Sequence, residues 1–190
     1  LATGASFPTA IGVLLAVIAF ILGCSALLDR FARYHFKQVS LGLYLLLQIA
    51  LVTCCGILYL VKFPTFYSLP IACGLAFSVW GLYLWMCGRG SQRPCGWYLA
   101  GSLCMALVAG CRPQLVLLSF LAFPLFWRRY ITERRLFTRR GAQEFACLMA
   151  PYVVVAAGIM LYNNARFGSL TDFGANYNLT VNDMTKRGMN

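Results

Sequence analysis

The sequence predicts an all-α protein, a polytopic bundle of about six transmembrane helices. Of its 190 residues, 61% are hydrophobic and only 11% are charged, whereas a soluble domain averages about 25% charged residues. Lysine and arginine number 16 against 5 acidic residues, and they lie between long apolar runs rather than in one dense stripe. This pattern excludes a water-soluble globule and a nucleic-acid-binding surface, and it favours basic residues that orient membrane helices.

Six apolar segments are predicted to cross the membrane, because each approaches the length of about 20 residues that a spanning helix needs. They lie at residues 7–28, 39–61, 68–87, 95–111, 113–130 and 145–162. The last contains Pro151, which we expect to kink the helix rather than end it, since a neighbouring helix can satisfy the carbonyl group that proline leaves free.

The apolar stretch at 95–130 is interrupted by Arg112 and Pro113, so it forms either one broken helix or two short ones. With two short helices, the basic segments 29–38, 88–94 and 128–143 share one face and carry 11 of the 16 lysines and arginines. With one crossing, the arginines of 128–143 would move to the opposite face, against the positive-inside rule. We therefore predict two short helices, with the three basic segments cytoplasmic and residues 62–67 and 163–190 external.

All these spans form one predicted membrane domain over residues 1–190. The chain begins with Leu1, and no basic segment with a cleavage site precedes the first span. We therefore expect an internal fragment of a longer polytopic protein, without its first N-terminal span or spans and without its C-terminal part.

No metal site or cofactor is predicted. The nine cysteines lie mostly inside apolar runs and form no C-x-x-C pair, so they are interpreted as small hydrophobic side chains. His35 is the one histidine of the chain and has no neighbouring cluster of cysteines or carboxylates, which gives a zinc site no support.

A few basic residues fall on the predicted external face, namely Lys62, Arg112, Arg166, Lys186 and Arg187. Arg112 can be interpreted with equal weight in two ways: as a helix end whose arginine reaches the interface, or as a ligand for an anionic group such as a lipid phosphate. Arg166 would face the same boundary and complete a two-cation phosphate site.

The tail that carries Arg166 also has a simpler explanation as a membrane exit. Asn163 and Asn164 can end the last helix, and Phe167 suits the interface. The basic stretch at 128–140 is interpreted as an orientation signal that contacts anionic lipids, without a catalytic role.

Two elements together resemble bacterial membrane glycosyltransferases of the GT-C superfamily, whose relatives include protein O-mannosyltransferases and the lipid A aminoarabinose transferase. The resemblance covers most of residues 97–180. The residues that carry it are Gly110-x-Arg112-Pro113 and Tyr162-Asn163-x-x-Arg166-Phe167-Gly168-Ser169-x-x-x-Phe173-Gly174-x-x-Tyr177-x-Leu179.

The resemblance implies an enzyme of the cell membrane that moves a sugar from a polyprenyl-phosphate donor to an acceptor on the outer face. In that family a carboxylate in the first external loop removes the acceptor proton, and basic residues bind the phosphate leaving group. Here that loop would lie upstream of Leu1, so the catalytic base is not assigned. Arg112 and Arg166 are the predicted ligands of the carrier phosphate, and Asp172 and Tyr177 are weaker candidates on the acceptor side.

Two other functions stay open at this point. A transporter or flippase of a lipid-linked sugar would use broken helices around Arg112 to line a path through the midplane, and it would place a charged residue near mid-bilayer. The predicted long spans contain no central charged residue, which favours the transferase. The third possibility is a non-catalytic membrane scaffold.

Overall fold

The computed structural model describes residues 8–36, 39–65 and 67–171, and within these ranges the chain forms helices and turns without a β-strand. The predicted all-α class is therefore confirmed. The first five helices are α1 (Thr9–His35), α2 (Leu41–Cys54), α3 (Ile57–Lys62), α4 (Ser68–Arg89) and α5 (Cys95–Cys111).

A second group of helices follows the turn at Arg112. A 3₁₀ helix (Pro113–Leu121), helix α6 (Ala122–Trp127) and a π-helical turn (Arg128–Thr132) follow one another without a break, and we call this segment, residues 113–132, the return helix. A short 3₁₀ turn (Arg135–Phe137) leads into the last helix, α7 (Arg139–Phe167).

Several helices have the length and composition of a membrane span. In the described part of the chain these are Thr9–His35, Ser68–Arg89, Gln114–Thr132 and Arg139–Phe167, and two shorter apolar helices are Leu41–Cys54 and Cys95–Cys111. This set is compatible with a multi-pass membrane protein, as the composition predicts.

The helices differ in extent from the apolar segments of the sequence. Helix α1 continues through residues 29–35, where Arg33 donates to Asp29 one turn earlier at 2.9 Å. The segment 39–61 is divided into α2 and α3 at Gly56, whose φ of 69° suits glycine. Helix α7 continues past Asn163 and Asn164 and ends at Phe167, where Gly168 adopts a φ of 71°.

Helices α1, α4 and α5 pack through small residues, and we call these three helices the small-residue core. A methyl group added at Gly81 of α4 would lie only 2.7 Å from Met105 Cγ and 3.0 Å from the Gly101 oxygen of α5. On the other side of α4, the indole of Trp80 donates to the Ala19 carbonyl oxygen of α1 at 2.9 Å. Small side chains allow such close approach of membrane helices.

The chain reverses its direction at Arg112. The rings of Tyr98 and Phe126, which are equidistant in sequence from Arg112, lie 5.2 Å apart in an edge-on contact. The return helix therefore runs antiparallel to α5. Its partner on the other side is the first part of α7, because Tyr152 donates to Ser119 at 2.8 Å and Glu144 binds Arg129.

The basic segments meet at one end of this bundle. Arg30 packs against Gly90, and Arg89 lies 5.8 Å from the Tyr34 ring centroid. Tyr98, beside Gly88, contacts Phe126 of the return helix, which leads into Arg128 and Arg129. The turn at Arg112 lies at the opposite end of α5 and the return helix.

The chain divides into two compact units, Leu1–Tyr152 and Val153–Asn190. The first contains the small-residue core, the return helix and the first half of α7. The second contains the rest of α7 and the residues that follow it, described as far as Thr171.

Candidate functional site

Arg112 lies at the turn between α5 and the return helix. Its backbone is extended, with φ −151° and ψ 106°, and it ends α5 by donating its N–H to the Val108 carbonyl at 2.8 Å. Its own carbonyl accepts the N–H of Leu115 at 3.0 Å, which starts the next helix. The half-buried side chain forms no hydrogen bond or ion pair with any described residue. Its guanidinium can therefore bind an anion without breaking a hydrogen bond or ion pair to the described residues.

Arg166 lies in the last turn of α7, in the second unit, where its charge suits the negative end of the helix dipole. It donates to the Tyr162 hydroxyl one turn earlier at 2.9 Å, and its guanidinium lies 5.1 Å from the centroid of the Phe167 ring. These contacts hold the exposed arginine among aromatic rings, as is common for cations at a membrane interface.

The other predicted site residues, Asp172 and Tyr177, lie outside the described residues. Arg112 and Arg166 belong to different units, and each is described only within its own unit. The two-cation phosphate site therefore stays a prediction.

The structure contains a largely buried ion pair that the sequence analysis did not identify. Arg129 of the return helix binds Glu144 of α7 with two hydrogen bonds, from Nε to Oε2 at 3.1 Å and from Nη2 to Oε1 at 2.9 Å. Their side chains are 18% and 11% exposed, respectively. The Tyr130 hydroxyl also donates to Oε2 of Glu144, at 3.4 Å. This bidentate geometry is among the stronger contacts between charged side chains.

Tyr98 lies next to this ion pair and is fully buried. Its ring fills the space beside Gly88 and contacts Phe126. Its hydroxyl has no hydrogen-bond partner in the described part of the chain. The end of the bundle where the basic segments meet therefore contains a compact polar group of Tyr98, Arg129, Tyr130 and Glu144.

An apolar groove begins at this polar group. It has a volume of about 660 Å³, which lies within the range of about 300–1,000 Å³ that is usual for ligand pockets. The return helix and α7 form its walls, and Trp85 of α4 lies at its base. Ring side chains dominate the lining, among them Phe120, Phe123, Phe126 and Trp127. We call it the aromatic groove.

No family model matches this chain, and no curated protein or solved structure matches it. A function for this chain therefore has to be inferred from its sequence motifs and from the geometry of its helices.

The described residues contain no group of three or more His, Cys, Asp and Glu side chains that could hold a metal ion. All nine cysteines are free thiols, and Cys24 is the buried one among them. Thiols in this setting act as small hydrophobic groups.

One sequence signal points to the ion pair. Glu144 lies directly before the segment predicted to span at 145–162. A carboxylate at that position is costly unless a cation compensates it, and six arginines precede it between residues 128 and 140. The pattern predicts a partner for Glu144, but only the packing of the return helix against α7 selects Arg129.

Proposed function

We propose that this chain forms part of a multi-pass membrane glycosyltransferase of the GT-C type. It would transfer a sugar from a polyprenyl-phosphate donor to an acceptor on the outer face of the membrane. The proposal rests on the resemblance of the segments around Arg112 and Arg166, and on an all-helical fold with several helices long enough to span a bilayer.

The proposed topology has six crossings, with the basic segments in the cytoplasm and the turn at Arg112 outside. Two structural features support it. The chain reverses at Arg112, so α5 and the return helix run as an antiparallel pair. The basic segments also gather at the opposite end of that pair, where the positive-inside rule places them in the cytoplasm.

In this proposal Arg112 and Arg166 bind the carrier phosphate. Transfer of the sugar breaks the bond between the anomeric carbon and the phosphate oxygen, so negative charge grows on the departing phosphate. Guanidinium groups stabilise that charge with paired hydrogen bonds. Asp172 and Tyr177 would then lie on the acceptor side. The general base is not assigned to any residue of this chain.

The observation that carries the proposal is the turn at Arg112. It presents an arginine that has no ion pair with any described residue, at the end of two antiparallel apolar helices. A transporter would instead need a charged group near the middle of a span. In the described residues the charged side chains lie at or near helix ends, so we do not propose a transporter.

The test compares Arg112→Ala and Arg166→Ala with Lys62→Ala in the full-length protein. Lys62 is an exposed cation at the end of α3, predicted on the same face but outside the motif. Polyprenyl-phosphate sugars that carry a label on the sugar are added to native membranes containing each variant. Transfer of the label to non-lipid material is then measured. Because a charged hydrogen bond contributes about 1.5–3 kcal/mol, we expect each arginine variant to lose about 10- to 100-fold in turnover.

Lys62→Ala should retain normal turnover, and equal amounts of folded protein should be found in the membranes for all three variants. Unchanged turnover in both arginine variants would overturn the phosphate site. If the unaltered protein transfers no label from any polyprenyl-phosphate sugar, the enzyme proposal fails and the scaffold function remains.

A further inference from the structure

The walls of the aromatic groove are bridged by polar contacts near both of its ends. Near one end, the hydroxyl of Tyr152 donates to Ser119 at 2.8 Å. At the other end, Arg129 binds Glu144 through two hydrogen bonds. These bridges hold the return helix and the first half of α7 at a fixed spacing. A polypeptide helix, about 10–12 Å wide with its side chains, cannot enter between the walls, whereas an alkyl chain is thin enough to do so.

The lining of the groove is apolar along its length. Phe123, Leu148 and Met149 contribute hydrocarbon surface between the two bridges. The groove opens on the outer side of the bundle, because Leu117, Phe120 and Phe123 are exposed. In a membrane protein this opening faces lipid, and an alkyl chain has the apolar character that matches such a lining.

In the described part of the chain, most of the basic residues near the groove lie at the end where the return helix leads into residues 128–140. The π-helical turn that supplies Tyr130 and Ile131 to the lining also carries Arg128, whose side chain is 84% exposed. Arg128 has one ion pair, a contact of 3.7 Å from its Nε to the exposed Glu133. Between residues 128 and 144 there are six arginines and two glutamates, and Glu144 is already bound by Arg129. This end of the groove is therefore complementary to an anion.

We propose that the aromatic groove binds one acyl chain of an anionic phospholipid, with the lipid phosphate at Arg128. The lipid comes from the leaflet that faces the basic segments. Its chain lies between the two bridges against Phe123 and Trp127. This proposal does not depend on glycosyl transfer, because it concerns the opposite end of the bundle from Arg112.

The test uses tryptophan fluorescence in lipid nanodiscs that contain the full-length protein. Trp85 and Trp127 line the groove, and a bromine atom on an acyl chain quenches an indole that it contacts. Replacement of Trp80, Trp97 and Trp127 by Phe leaves Trp85, which is 1% exposed, as the reporter. Brominated phosphatidylglycerol in a phosphatidylcholine bilayer is compared with brominated phosphatidylcholine in a phosphatidylglycerol bilayer, at equal fractions of brominated lipid.

We expect the groove to prefer phosphatidylglycerol by about fivefold for each arginine that engages the phosphate. Arg128→Gln should reduce this preference by about that factor. The matched control is Arg93→Gln, which removes an exposed arginine in the neighbouring basic segment and should leave the preference unchanged. Because Arg128 is exposed, its replacement does not endanger folding.

A second pair of variants tests the chain-binding part. Ala122 lines the groove and is half-buried, so Ala122→Phe should fill it and abolish quenching by either brominated lipid at Trp85. Ala50→Phe adds the same ring to a half-buried position of α2 and should have no effect. Equal quenching by the two lipids in the unaltered protein, or an Arg128→Gln variant with full preference, would overturn the proposal. Shielding of Trp85 from both lipids would show that protein covers the groove, which would also overturn it.

Discussion

Two regions of the first unit are held together by different means. In the small-residue core, glycines bring α1, α4 and α5 so close that an added methyl group at Gly81 has no room. Along the aromatic groove, large rings keep the return helix and α7 apart, and polar bridges such as Arg129 to Glu144 connect them. Close backbone packing leaves no space for a ligand, whereas bridges between large side chains hold two helices in place and leave an apolar gap. The groove therefore lies beside the core and not within it.

The largest loss of stability is expected when the ion pair between Arg129 and Glu144 is broken. Glu144→Ala removes the carboxylate and leaves the guanidinium of Arg129 buried without a counterion. Breaking a buried ion pair in this way costs about 3–5 kcal/mol. We expect that loss in the free energy of unfolding, measured for the detergent-solubilised protein by titration with a denaturing detergent.

The control for this variant is Glu133→Ala, since Glu133 pairs with Arg128 and Arg135 at exposed positions and its loss should cost less than about 1 kcal/mol. The double variant Arg129→Met with Glu144→Met should recover most of the stability, because it removes both charges and keeps the volume. A loss for Glu144→Ala no greater than for Glu133→Ala would show that the bridge does not hold α7.

The next largest loss of stability is expected for a larger side chain in the small-residue core. In Gly81→Leu the new side chain must displace Met105 and the Gly101 backbone, and overpacking of this kind costs about 1–3 kcal/mol. Gly110→Leu is the matched control in α5, because nothing lies within 4 Å of a methyl group added there. We expect only the first variant to lower the free energy of unfolding. Equal stability of the two variants would contradict close packing of α4 on α5.

The sequence predicts the core better than it predicts the groove. Apolar runs of spanning length identify the helices, and the interruption at Arg112, together with the charge distribution, predicts the reversal that the contact between Tyr98 and Phe126 shows. Helix ends are predicted less well. Asn163 and Asn164 are good helix-ending residues, yet α7 continues to Phe167, because a glycine in the left-handed conformation follows there.

The candidate sites depend on tertiary contacts that a linear pattern does not contain. The arginines at 128–140 look equivalent in sequence, and only packing of the return helix against α7 distinguishes Arg129 as the partner of Glu144. The groove has no sequence signature, because aromatic residues of a lipid-facing surface and of a ligand pocket follow the same helical spacing. Arg112, by contrast, can be singled out from sequence, because charge beside proline inside an apolar run is rare.

A buried hydrogen bond in the core provides the next comparison. The indole of Trp85 donates to the Ser102 hydroxyl at 3.1 Å, and both side chains are buried. Ser102→Ala leaves this N–H without a partner, which costs about 1–3 kcal/mol in a protein interior, and we expect the lower end of that range. Trp85→Phe is also made in the Ser102→Ala background, where this hydrogen bond is already absent. The loss of stability measured there therefore reports the packing of the ring alone. If Ser102→Ala does not change the free energy of unfolding, the bond contributes nothing to the core.

The smallest loss of stability is expected at the neutral bridge of the groove, the hydrogen bond between Tyr152 and Ser119. Tyr152→Phe removes the hydrogen bond to Ser119 but keeps the ring that lines the groove. The freed serine hydroxyl can turn to a backbone carbonyl of its own helix, so the loss should be close to the average of about 0.6 kcal/mol for such bonds in membranes. A double-mutant cycle with Ser119→Ala isolates the coupling. A coupling as large as that of Arg129 with Glu144 would show that the neutral bridge, and not the charged one, sets the spacing of the groove walls.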